Sequence, residues 1–165
     1  RHPAVVPAGA RVVSTNTASV MTQMLEGVVA SGTGACAAIP SYVVAGKTGT
    51  AKKALATGGY GDVATMASFI GFAPADHPRF ATLVVLDENN LSYGGEVAAP
   101  VFSEITQFAL QQYGVDPTDL TNTQYSAARA TAAAAGASCA LPHGSDLVAA
   151  QARLHARQAR AQSQG

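Results

Sequence analysis

Two short turn signals divide the middle of this chain into three apolar runs, and they leave little choice of topology. Gly58-Gly59-Tyr60-Gly61 falls between the runs at 42–51 and 66–73, and Pro74-Ala75-Asp76-His77-Pro78 falls between 66–73 and 80–87. Proline fixes φ and aspartate can bond back to the backbone, so the second signal reads as a tight turn. The first sits in a hairpin loop expected over 52–62. Links this short hold no crossover helix, so the runs are expected to pair as an antiparallel meander. The third run, Phe80-Ala81-Thr82-Leu83-Val84-Val85-Leu86-Asp87, is apolar without alternation, which predicts a strand covered on both faces.

Helical patterns flank the three runs. Over 18–30, Met21, Met24, Leu25, Val28 and Val29 recur at three- and four-residue spacing, which predicts a helix with those residues in the core. Ser14-Thr15-Asn16-Thr17 offers N-cap side chains before it, and Gly32 is available for a left-handed cap after it. Over 100–113, Val101, Phe102, Ile105, Phe108, Ala109 and Leu110 predict a second amphipathic helix, with Pro100 in its first turn and Tyr93-Gly94-Gly95 as the turn before it. Both helices must bury a face, and the sheet is the available surface. The fold class is α+β, an antiparallel sheet with helices packed on it.

Composition sets the boundaries. Beyond Asp116-Pro117 large apolar residues become rare, so 1–116 reads as the folded part and 117–165 as an Ala-rich low-complexity tail, disordered or partly helical. Residues 127–140 can form helix by propensity but have little to bury. Arg153, Arg157 and Arg160 suit a solvated helix over 151–162. A net charge of +0 gives no case for nucleic acid. No apolar run approaches the roughly 20 residues that span a bilayer. The start, Arg1-His2-Pro3-Ala4, has neither an initiator Met nor a signal-peptide pattern and reads as the middle of a longer chain. His2, His77, His143 and His155 are scattered and read as surface residues; no metal site and no cofactor is expected. A disulfide between Cys36 and Cys139 is possible in an oxidising compartment, but Cys139 falls in the segment read as poorly ordered, so the pair is expected to be free.

The first run ends in Lys47-Thr48-Gly49-Thr50-Ala51. A lysine on an edge strand often serves only to block aggregation, and threonines are ordinary strand residues. Thr48 and Thr50 lie two apart and so share a face. Gly49 lets another backbone approach the edge. Lys52 and Lys53 read as solvated loop charges. Ser14-Thr15-Asn16 has the form Ser-x-Asn, but helix capping explains it.

Four blocks occur in order: Met24-Leu25-Glu26-Gly27-Val28-Val29, Val44-Ala45-Gly46-Lys47-Thr48-Gly49-Thr50-Ala51, Ala67-Ser68-Phe69-Ile70-Gly71-Phe72-Ala73-Pro74, and Tyr93-Gly94-Gly95-Glu96-Val97-Ala98-Ala99-Pro100-Val101-Phe102. With them, the chain resembles the C-terminal part of the transpeptidase domain of class B penicillin-binding proteins of the septal, cell-division type, over roughly 12–117. The resemblance implies the fold shared by penicillin-binding proteins and serine β-lactamases, and a D,D-transpeptidase that crosslinks peptidoglycan stem peptides ending in D-Ala-D-Ala through a serine acyl-enzyme. It gives Lys47 and Thr50 catalytic roles, with the Thr50 N–H as half of the oxyanion hole, and gives Thr48, Gly49 and Thr50 to substrate binding. It also implies β-lactam antibiotics as ligands, divisome or elongation-complex membrane proteins as partners, and the extracytoplasmic face of a bacterial membrane, reached by an N-terminal anchor in a longer parent. The family's nucleophile sits in Ser-x-x-Lys, a pattern this sequence lacks, so the isolated chain is expected to be inactive. A non-catalytic β-lactam-sensing module, or a related D,D-carboxypeptidase or β-lactamase, stays open as an alternative.

Overall fold

The computed structural model describes residues 11–54, 58–89 and 93–140, without the side chains of 61–64 and 88–89. The basic helix expected over 151–162, and His2, His143 and His155, lie outside the described residues. Helix α1 spans Thr15–Ser31, a 3-10 turn follows at Ala35–Ala37, and strands β1 (Ala45–Ala54), β2 (Tyr60–Ala73) and β3 (Phe80–Asn89) precede helices α2 (Gly94–Gln112) and α3 (Thr123–Ala134). The strands form one antiparallel sheet in the order β1-β2-β3, the meander that the short turns require. Strand pairing extends further into the first hairpin than expected, and the loop shrinks accordingly. His77 is exposed beside Asp76, 3.2 Å away.

Among the described residues, helices cover only one face of the sheet. Phe69, paired with Thr48 on one side and Val84 on the other, is fully buried and stacks at 4.8 Å on Phe102 of α2. Ile70, Leu83 and Val85 face the other way and are exposed. The expectation that β3 is covered on both faces therefore fails: among the described residues no element lies over the second face, and β3 alternates although its sequence does not.

Helix α1 begins three residues earlier than predicted. Ser14 caps it, its Oγ accepting from the Thr17 N–H at 3.0 Å, which confirms the capping reading of Ser14-Thr15-Asn16. Of its apolar stripe only Val29 is fully buried, with Leu25 and Val28 half-buried. Met21 and Met24 are exposed, contrary to their expected place in the core. Nothing among the described residues packs over the first two turns of the helix. Gly32 does not adopt the expected left-handed cap. Its φ is −121°, and its N–H closes on the Val28 carbonyl at 3.1 Å. A Cβ there would press on that carbonyl, which is why a glycine suits the position.

Helix α2 also starts early, at Gly94, so Tyr93 is its N-cap and Pro100 falls in the helix interior rather than the first turn. The lost N–H leaves the Glu96 carbonyl without its usual helical donor. The buried stripe runs through Ala98, Ala99, Phe102, Thr106 and Leu110, while Ile105 and Phe108, expected on it, are exposed.

The segment 117–140 docks on the body. Thr118 and Asp119 donate backbone N–H groups to the Ser41 carbonyl, the Tyr42 hydroxyl donates to the Val115 carbonyl at 2.7 Å, and α3 buries Ala128 and Ala132 beside α1 and the 3-10 turn. Cys139 is bonded to Cys36, which corrects the expectation of free cysteines. Small side chains let α3 lie close enough for the bridge to form.

Candidate active site

The sheet puts Lys47-Thr48-Gly49-Thr50 on β1, one of the two outer strands in the order β1-β2-β3, with one edge unpaired among the described residues. Upstream hydrogen bonds fix which groups face that edge. The Val43 carbonyl accepts from Ala75 N–H on the sheet side at 2.8 Å. Val44 turns both its backbone groups the other way, its N–H donating to Gln124 Oε1 and its carbonyl accepting from Gln124 Nε2, each at 2.8 Å. By the two-residue alternation of a strand, Gly46, Thr48 and Thr50 also direct their N–H and C=O outward. Lys47 agrees with this, since its Nζ curls round the edge to donate to the Thr48 carbonyl at 3.2 Å and to Thr48 Oγ1 at 2.9 Å.

The two threonine hydroxyls lie on the helix-covered face. Thr48 Oγ1 is 3.0 Å from Thr33 Oγ1, in the loop after α1. Thr50 Oγ1 accepts from the Gly94 N–H, at the start of α2, at 3.3 Å. Two glycines allow this approach of α2: a Cβ on Gly94 would collide with the Ser68 carbonyl, and one on Gly95 with the Thr33 carbonyl. Gly49 is constrained from the opposite face, where a Cβ would sit 2.5 Å from Ser68 Oγ of β2. A cleft of about 240 Å3 opens beside these groups, lined by Thr33, Thr48, Thr50, Tyr93, Gly95 and Thr131 among others. The structure thus gathers all four sequence-selected residues on one strand and adds Thr33, Gly94, Gly95 and Thr131. The Gly-Gly pair carried a signal, as the chain's opening into α2, whereas Thr33 and Thr131 had none.

Lys53 is a strand residue rather than the loop charge expected, and its Nζ pairs with Asp87 of β3 at 2.9 Å. Burial, and next the Asp76 carboxylate, push the Glu26 carboxyl above its ordinary range. Asp119 moves the opposite way. Burial alone would raise it, but N–H groups of Thr123, Gln124 and Asn122 and the Thr121 hydroxyl outweigh that and hold it low. No described helix is long and apolar enough to cross a membrane.

Residues 3–107 match the model of the penicillin binding protein transpeptidase domain. The chain belongs to this family. Among relatives of this transpeptidase domain, the probable peptidoglycan D,D-transpeptidase PenA of Neisseria flavescens is 44% identical over 124 residues, 73% of this chain and 31% of that protein. Stage V sporulation protein D of Bacillus subtilis is 42% identical over 65% of this chain and 17% of its own length. The transpeptidase domain of penicillin-binding protein 3 from Burkholderia pseudomallei superposes with a TM-score of 0.61 at 42% identity, covering 67% of this chain and 34% of that one. Penicillin-binding protein 3 of Mycobacterium tuberculosis, solved with ampicillin, gives a TM-score of 0.59 at 37% identity over 66% of this chain and 26% of that one. The chain spans about a third or less of the length of these relatives. Helix α3 and Cys139 lie beyond the family match.

Proposed function

We propose that this chain is the substrate-strand part of a longer peptidoglycan D,D-transpeptidase that works at the extracytoplasmic face of a bacterial membrane with divisome or elongation-complex proteins. The observation that carries the reading is the edge of β1 that no described strand pairs, which carries Lys47, Thr48, Gly49 and Thr50; Thr48 and Thr50 line a cleft and turn their backbone groups outward. A stem peptide ending in D-Ala-D-Ala would add to that edge as a further strand. Its terminal carboxylate would meet the Lys47 ammonium and the Thr48 and Thr50 hydroxyls. The nucleophilic serine comes from outside this sequence, which has no Ser-x-x-Lys. Its oxygen bonds to the penultimate D-Ala carbonyl carbon while the oxyanion takes a hydrogen bond from Thr50 N–H. The C–N bond then breaks, the serine's proton passes to the departing D-Ala amine, and an acceptor amine later releases the acyl group as a crosslink.

Labelled β-lactam binding to the full-length protein tests the reading. The unaltered protein should form a long-lived adduct, Lys47→Ala should abolish it with little loss of stability, and the chain of residues 1–165 alone should form none. Acylation that survives Lys47→Ala would refute the role given to that residue. Rapid turnover of the bound drug would point instead to a β-lactamase or D,D-carboxypeptidase.

A further inference from the structure

The outward-facing residues grow steadily less accessible from Thr50 back through the start of β1 to Val44, the residue just before it. Thr50 is exposed, Thr48 half-buried, Gly46 buried and Val44 fully buried. At Val44 the edge stops because Gln124 takes both outward backbone groups, as a strand residue would. Both Nε2 hydrogens of Gln124 are used, since Nε2 also donates to the Glu26 carbonyl at 3.3 Å, in α1. Its own backbone N–H donates to Asp119 Oδ2 at 3.0 Å, which fixes the residue in the first turn of α3. Thr131 Oγ1 donates to the Ala30 carbonyl at 3.3 Å, and the Cys36–Cys139 bridge holds the far end of the segment. This plug is built from residues beyond the family match, which ends at 107.

Its position relative to the chemistry is informative. Taking the transpeptidase reading above as given, the scissile carbonyl sits at Thr50 N–H, and the leaving residue's carboxylate, held by Lys47, Thr48 and Thr50, reaches as far as Thr48. Those positions are two residues apart, roughly 7 Å along a strand and enough for one amino acid. A peptide continuing past that carboxylate would run antiparallel along β1 into buried Gly46 and the occupied Val44. We propose that Gln124 closes the edge just past the leaving residue and so restricts the site to peptides that end there. Gln124 acts as a specificity residue through Val44 and touches no reacting atom.

The test compares two peptides on the full-length protein, one ending in D-Ala-D-Ala and the same peptide carrying two further residues after the last D-Ala. Gln124→Ala removes both side-chain bonds to Val44, and Gln124→Asn is too short to reach both Val44 groups. Each variant should narrow the preference for the free-ended peptide about tenfold, through a lower KM for the extended one. β-Lactam acylation should stay within about threefold of the unaltered protein, because a small ring reaches only Thr48 and Thr50. An unchanged preference in both variants, with acylation intact, would overturn the proposal. Loss of acylation in both would overturn it too, by making Gln124 a support of the strand rather than its stop. If the unaltered protein fails to acylate at all, the transpeptidase reading is what fails.

Discussion

Replacing Cys36 and Cys139 together by serine removes the covalent hold on α3. The two residues are 103 apart in sequence. In the chain-entropy picture a loop of about 100 residues contributes up to ~4.7 kcal/mol, and residual structure in the unfolded chain brings the usual effect to about 2–4 kcal/mol. The non-covalent hold on α3 comes in part from Ala128 and Ala132, which each bury one methyl, on the order of 0.8 kcal/mol apiece. The Gln124 and Thr131 hydrogen bonds add about 1 kcal/mol each, against roughly 1 kcal/mol of backbone entropy for every residue ordered. The variant should therefore lose about 2–4 kcal/mol in urea unfolding relative to the oxidised chain, and the α3 amides should gain the most hydrogen exchange. A loss under about 0.5 kcal/mol, or α3 amides no faster than those of β2, would refute this account of how the segment is held.

Two further outcomes follow from packing and charge. Phe102→Ala, which removes a fully buried ring stacked on Phe69, should cost about 3–5 kcal/mol by the same urea measurement. Asp119 has a carboxyl held below its unfolded value, so its stabilisation is fully present above about pH 4 and disappears as pH falls through the lower folded pKa; acid titration should weaken α3 protection in the wild type more than in Asp119→Asn.

The sheet and the Lys-Thr-Gly strand were legible in the sequence because turn chemistry and local motifs fix them within a few residues. What was not legible depends on distant partners. Periodicity shows that Met21, Met24, Ile105 and Phe108 could pack, but not whether anything lies opposite them. The start of α2 was misread because Pro100 suits a first turn, while Gly94 and Gly95 are poor helix formers retained for close approach to Ser68 and Thr33. The cysteine pair has Cα atoms 4.9 Å apart, a distance set by the docking of α3. Gln124 gave no signal at all, since a glutamine in an Ala-rich stretch looks solvated until the backbone it satisfies is known.

The docking of Gln124 on Val44 also has a temporal side. The meander joins neighbours in sequence, whereas the plug must cross 80 residues to reach its strand, a longer loop to close. During synthesis the N-terminal end of β1 is left for a time with bare N–H and C=O groups, open to any extended segment nearby. A chain halted before residue 124 would present the strand without this guard.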